Sequence, residues 1–114
     1  MTELTVYTLQ VLAKAREKYG ISNQILVSME ELNELACVCA KFPRYSSEDR
    51  ARQELRDKAL DEVADVYNAL NHIEAIFGLT PEEIQKRAEE KAVRLNRWLS
   101  KSDEMDITTI DRQV

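Results

Sequence analysis

Apolar residues recur along this chain at intervals of three and four positions, and no segment alternates regularly between apolar and polar residues. The first pattern is typical of amphipathic helices, and the lack of the second argues against a sheet. The chain has only two glycines and two prolines in 114 residues and is rich in good helix formers. It is therefore predicted to form helices over about residues 3–19, 22–42, 48–77 and 81–100.

Capping residues mark the ends of these helices. Gly20 and Gly78 follow the first and third helices, where a glycine commonly ends a helix. Ser22 is the predicted N-cap of the second helix. In the segment LTPEE, Thr80 is the predicted N-cap of the fourth helix, and Glu83 completes a capping box. These signals support four separate helices with short connections.

Four helices joined in this way predict an all-α fold, an antiparallel four-helix bundle. We expect one helical domain over residues 1–100, followed by a C-terminal tail over 101–114 that is extended or packed at an interface. In a chain of 114 residues, helices with wide apolar faces often need partner chains to cover them, so an oligomer is expected.

Charge and composition narrow the function. The net charge of −5 argues against a nucleic-acid-binding surface, which needs a basic face. No apolar segment of about 20 residues is present to span a membrane, and the chain opens without a charged-then-apolar leader. Cys37 and Cys39 lie two residues apart on a helix and point in different directions, so they are expected to be reduced. A cytoplasmic location is expected.

The third helix carries a carboxylate on its apolar face. On a wheel of about 100° per residue, Glu62 lies near the centre of the inward stripe, and Asp65 lies about 60° to one side. The stripe consists of Leu55, Ala59, Val66, Ala69, Ile73 and Phe77. An unpaired, ionised carboxylate inside an apolar layer costs several kcal/mol, roughly, unless it is protonated, ion-paired or bound to a metal.

The second helix repeats this arrangement. Glu31 and Glu34 lie at the edge of its predicted core stripe, and Glu30 faces further outward. That stripe consists of Ile25, Met29, Leu32, Ala36 and Cys39. If the second and third helices pack antiparallel, the two acidic i, i+3 pairs converge on one point.

Four carboxylates without histidine or thiolate partners suit a hard cation, so Mg²⁺ or Mn²⁺ is the predicted metal. The predicted ligands are Glu31, Glu34, Glu62 and Asp65. A di-iron bundle would need Glu-x-x-His pairs, and the single histidine, His72, has no glutamate three positions before it. Ion pairing of Glu62 with Lys58 or Arg94 is the structural alternative.

The segments EELNE at 30–34 and EVAD at 62–65 resemble the EExxE and ExxD signature of the MazG-like all-α nucleoside triphosphate pyrophosphohydrolases. The resemblance covers roughly residues 22–100 and includes the fourth-helix segment EEKAVRLNRW. It implies hydrolysis of a nucleoside triphosphate between the α and β phosphorus to a monophosphate and pyrophosphate. It also implies Mg²⁺ at the four acids and a homodimer or homotetramer whose interface helps to form the pocket.

The resemblance and the reaction chemistry suggest roles for further residues. Glu30 or Glu34 would accept the proton of the attacking water. The predicted substrate-binding residues are Lys58, Asn68, Lys91 and Arg94. The Lys91–Asn96 spacing departs from the family pattern, in which the two residues lie four apart.

Two other functions fit the same pattern. One is a non-catalytic helical oligomer or regulatory domain that uses the acids for ion pairing. The other is a phosphoribosyl-ATP pyrophosphohydrolase, which shares the fold type and the reaction.

Overall fold

The structure, a computed structural model, describes residues 3–44 and 49–102, and these residues form helices with short connections and no strand. The all-α prediction is confirmed. The helices are α1 (Val6–Tyr19), α2 (Ile21–Lys41), a 3₁₀ turn (Phe42–Arg44), α3 (Asp49–Phe77) and α4 (Pro81–Ser102). Residues 103–114, most of the predicted tail, lie outside the described residues.

The junction between α1 and α2 differs from the prediction. Thr5 is the N-cap of α1 and its side chain accepts a hydrogen bond from the Thr8 N–H, so α1 begins three residues later than predicted. Gly20, with φ of 90°, ends α1 and also precedes α2 directly. The prediction of Ser22 as N-cap is wrong, because a single glycine in the left-handed region turns the chain between the two helices.

The start of α4 matches the predicted capping box. The Glu83 N–H donates to Thr80 Oγ1 at 3.2 Å, and the Thr80 N–H donates to Glu83 Oε2 at 3.0 Å. These hydrogen bonds lower the pKa of Glu83, with the bond from the Thr80 backbone as the largest cause. Gly78, with φ of 69°, follows α3 as predicted.

Replacing Thr80 with alanine is expected to lower the free energy of unfolding by about 1 kcal/mol, because the hydroxyl that accepts from the first turn of α4 is lost. Urea denaturation followed by circular dichroism measures this change. Thr80→Ser keeps the acceptor and should stay close to wild type. Equal losses for the two variants would show that the capping hydroxyl does not stabilise α4.

The chain divides into two compact units, one ending at Gly78 and the other beginning at Leu79. In the first unit, α2 packs mainly against α3, and α1 contacts both. The second unit contains α4. The prediction of one domain over residues 1–100 stays a prediction.

The core of the first unit lies between α2 and α3. Its buried apolar residues are Val38, Leu55, Val66 and Ala69. Gln24, Ser28 and His72 are buried as well, so the core is more polar than the sequence predicted. The Ser28 hydroxyl donates to the Gln24 carbonyl oxygen at 2.7 Å, which satisfies its hydrogen within α2.

The face that α2 turns toward the core is not the predicted one. Met29, Leu32, Ala36 and Cys39 are exposed, and only Ile25 of the predicted stripe is partly buried. The observed face consists of Gln24, Ser28, Glu31, Leu35 and Val38. Because α2 has apolar residues on more than one side, its wheel allows more than one core face. The face actually packed places Glu31 at its centre.

Most of the α3 stripe follows the prediction, since Leu55, Val66 and Ala69 are buried and Ile73 is partly buried. The prediction that Phe77 belongs to the inward stripe is wrong. Phe77 is the last residue of α3, next to the turn at Gly78, and is 68% exposed. Searching the described helices for a segment long and apolar enough to cross a membrane finds none.

Candidate metal centre

Four carboxyl groups from α2 and α3 meet in the first unit. One carboxylate oxygen from each of Glu31, Glu34, Glu62 and Asp65 lies within 4.8 Å of the others. Glu31 lies next to Asp65, and Glu34 next to Glu62, and these neighbours contribute to the raised pKa values of Glu31 and Glu62. Because the higher number on α2 pairs with the lower number on α3, the two helices run antiparallel here. The i, i+3 spacing on each helix then brings all four acids to one point, as the sequence predicted.

The cluster has a buried side and an exposed side. Glu31 and Glu62 are partly buried, whereas Glu34 and Asp65 are exposed. The Oε2 atoms of Glu31 and Glu62 are inaccessible to solvent and have no hydrogen-bond partner. A buried, unpaired carboxylate oxygen is costly, so these two atoms leave a binding requirement that the protein itself does not meet.

Burial and the closeness of the other acids raise the pKa values of two carboxyl groups in the cluster. Burial, followed by the charge of Asp65, raises the pKa of Glu31 to about 7. Burial, followed by the charge of Glu34, also raises the pKa of Glu62. Without a cation, protons therefore neutralise part of the repulsion among the four acids.

No basic side chain of the first unit, as far as the structure describes it, forms an ion pair with the cluster. Within residues 3–44 and 49–102, the ion pairs are Arg50–Glu54 on α3 and Arg87–Glu90 on α4, both between exposed side chains. The predicted alternative, an ion pair from Lys58 to Glu62, is absent in the first unit as described. Lys58 is exposed one turn before Glu62.

The donor set could hold a metal ion. Opposite oxygens around Mg²⁺ lie about 4.2 Å apart, given metal–oxygen distances of about 2.1 Å. The upper limit of 4.8 Å in the cluster is close to this value. The buried Oε2 atoms of Glu31 and Glu62 supply the unpaired acceptors that such an ion requires.

A cleft of about 170 Å³ adjoins the carboxylates. Glu31 and Asp65 line it, so it opens directly onto the cluster. Its other lining residues are Leu12, Val27, Ser28, Asn68, Ala69 and His72. All three helices of the first unit contribute to it.

His72 is held in place from α1. The Arg16 guanidinium donates from one nitrogen to His72 Nδ1 at 3.0 Å and to Asn71 Oδ1 at 3.1 Å. Burial, followed by the charge of Arg16, lowers the pKa of His72, so the ring is neutral at pH 7. Because arginine is only a donor, Nδ1 is the acceptor and the ring proton lies on Nε2.

The remaining predicted site residues divide between the two units. Asn68 lines the cleft, whereas Glu30 is exposed on α2 and does not belong to the group of four acids. Lys91 and Arg94 lie on α4, in the second unit, and are exposed. Their substrate-binding role, like that of Lys58, stays a prediction.

Sequence reasoning missed Ser28, His72 and Arg16. Ser28 lies three residues before Glu31, and His72 seven after Asp65, so helical spacing from the acids would have found both. Arg16 gave no comparable signal, because its contact with His72 spans 56 residues.

Comparison of the chain with protein-family models, curated proteins and solved structures finds no match.

Proposed function

We propose that the protein is a Mg²⁺-dependent nucleotide pyrophosphohydrolase that cleaves nucleoside triphosphates between the α and β phosphorus. The main support is the pair of buried, unpaired Oε2 atoms of Glu31 and Glu62 inside a group of four carboxylates. A stable core has no need of such atoms, whereas a cation site does. The EExxE and ExxD resemblance connects this kind of site with pyrophosphohydrolysis.

The four acids would hold a metal ion, and its positive charge would allow them to accept a triphosphate. A triphosphate is repelled by four carboxylates unless a cation lies between them. A bound divalent ion, with Mn²⁺ as the alternative to Mg²⁺, supplies charge neutralisation of the phosphates and a lower pKa for a coordinated water. Glu31, Glu34, Glu62 and Asp65 would hold it from two helices.

Other groups of the chain complete the reaction. Water adds its oxygen to the α phosphorus as the bond to the bridging oxygen breaks, and pyrophosphate leaves. Glu30 or Glu34 accepts the proton of that water, and both side chains are exposed. Asn68 positions the substrate from the cleft, and Lys58 provides positive charge one turn from Glu62.

We also propose that the protein forms an oligomer that covers an exposed apolar face of α2. Leu26, Met29 and Leu32 of α2 are 58%, 53% and 39% exposed, which is a wide apolar surface for one helix. A second copy of the chain in an antiparallel helical bundle, as a homodimer or homotetramer, would cover it.

A nucleotide panel tests the activity. Metal-stripped protein is supplied with Mg²⁺ and ribo- and deoxyribonucleoside triphosphates, and products are separated by ion-exchange chromatography. We expect equal amounts of monophosphate and pyrophosphate, formed only with Mg²⁺ or Mn²⁺. Phosphoribosyl-ATP is a separate arm, and turnover of that substrate alone would redirect the assignment. Orthophosphate as the product, or no turnover despite metal binding, would contradict the proposal and favour a non-catalytic helical oligomer.

A further inference from the structure

Arg16 connects α1 to α3 through two hydrogen bonds from a single nitrogen. It donates to His72 Nδ1 at 3.0 Å and to Asn71 Oδ1 at 3.1 Å, and Arg16 itself is half-buried. The amide oxygen of Asn71 accepts at any pH, whereas His72 Nδ1 accepts only while the ring is neutral. One of these two hydrogen bonds between α1 and α3 therefore depends on a titratable acceptor.

The burial of α1 is shallow compared with that of α2 and α3. The buried core residues lie on α2 and α3, and α1 contributes none of them. The half-buried residues of α1 are Thr8, Leu12, Ala15 and Arg16. A helix with little buried surface opens locally at a lower free energy than the helices that form the core. Losing one hydrogen bond therefore affects α1 more than it affects the α2–α3 pair.

Charged groups surround His72 from all three helices of the first unit. Arg16 contacts the ring from α1, and two acids line the same cleft, Glu31 from α2 and Asp65 from α3. The acids favour a protonated ring, whereas burial and the charge of Arg16 disfavour one. Burial, followed by Arg16, lowers the pKa of His72, so the acids are outweighed. His72 lies two turns beyond Asp65, about 10 Å along α3, and does not belong to the group of four acids.

We propose that the contact between Arg16 and His72 is an acid-sensitive switch that holds α1 on α3 and opens when the ring is protonated. A proton from water on Nδ1 turns this acceptor into a donor, so two donors with like charges then face each other. The hydrogen bond is lost and repulsion replaces it. Because Leu12 of α1 lines the cleft, the release of α1 uncovers the cleft while the acids stay on α2 and α3. The switch needs neither metal nor nucleotide, so it is independent of the proposed function.

Nuclear magnetic resonance tests the state of the ring directly, because His72 is the only histidine in the chain. At about pH 7, nitrogen chemical shifts should show a neutral ring with its proton on Nε2. Hydrogen exchange then follows α1 as the ring titrates, and protection factors correct for the intrinsic dependence of exchange on pH. We expect protection of α1 to fall at least about tenfold, as the loss of a hydrogen bond to a charged group would cause. The α3 amides around Ala69 should keep their protection.

Variants assign the change to the ring, since Glu31 titrates in the same pH range. His72→Gln removes the titrating group, and Arg16→Gln removes the charge but keeps an amide donor. In each, the fall in α1 protection should be less than about threefold, and Arg16→Gln should also raise the pKa of His72. Lys14→Gln, at an exposed residue of α1, makes the same charge change and should keep the full response. Because His72 is buried, Arg16→Gln decides the outcome if His72→Gln does not fold.

Three results would overturn the switch. The first is a ring proton on Nδ1 at neutral pH, since Nδ1 could not then accept from Arg16. The second is an unchanged fall in α1 protection in Arg16→Gln or His72→Gln. The third is an equal loss of protection in α1 and α3, because acid would then unfold the whole unit rather than release one helix.

Discussion

Replacing Glu62 with glutamine is expected to reduce pyrophosphate release at least about 100-fold, which corresponds to a loss of about 3 kcal/mol of transition-state stabilisation. Glutamine has nearly the same shape, so α3 should remain folded while the cluster loses one negative charge and one metal ligand. Steady-state assay of pyrophosphate measures the rate, and calorimetry with Mn²⁺ measures the accompanying loss of metal affinity.

Glu54→Gln is the matched control, because Glu54 is also on α3 but pairs with Arg50 at the surface. Its activity should remain within about twofold of wild type, since exposed ion pairs contribute little. A second variant, Glu62→Leu, should raise the melting temperature without metal, because it removes a buried oxygen that has no partner. If Glu62→Gln retained wild-type activity and Mn²⁺ affinity, the metal-centre assignment would fail.

The stabilisation of the protein by Mg²⁺ is expected to grow as the pH rises. At a free Mg²⁺ concentration about 100 times Kd, binding should add about 2.7 kcal/mol to the free energy of unfolding. At acid pH, protons compete with the metal for the carboxylates and this increment should largely disappear. Urea denaturation with Mg²⁺ and with a chelator, at several pH values, measures it.

The growth of Mg²⁺ stabilisation with pH follows from the raised pKa values of Glu31 and Glu62. In the metal-free protein, the pKa of Glu31 rises from 4.5 to about 7, and that of Glu62 rises as well. Stability from these protonated carboxyls is fully present below pH 4.5 and is lost as the pH rises through about 7. Metal binding replaces the lost protons, so the difference between the Mg²⁺ and chelator curves opens over the same range.

The titration of His72 changes the stability of the protein with pH in the opposite direction, because the pKa of His72 is lowered from 6.5. The contribution of neutral His72 to the free energy of unfolding is present above pH 6.5 and is lost as the pH falls, whether or not Mg²⁺ is present. The difference between the two curves therefore removes it. An increment that is independent of pH, or equally large in Glu62→Leu, would show that Mg²⁺ binds elsewhere.

The sequence predicted the part of the candidate site on α3 more completely than the part on α2. Glu62 was identified because α3 has one clear apolar stripe, and a carboxylate near its centre is visible on a helical wheel. On α2 the wheel placed Glu31 at the edge of a stripe through Met29 and Leu32, which the structure leaves exposed. The chosen face includes Gln24 and Ser28, two polar residues that hydrophobic periodicity does not count as core.

The sequence by itself determined the helices, the capping box at Thr80 and Glu83, and the spacing of the acids, because these depend on residues at most four positions apart. Only the tertiary structure decided which face of α2 meets α3, and hence that the Oε2 atoms of Glu31 and Glu62 are buried without partners. It also decided that Arg16 holds His72 from another helix. Packing chooses among several faces of similar hydrophobicity, and contacts between distant residues leave no periodic signal in the chain.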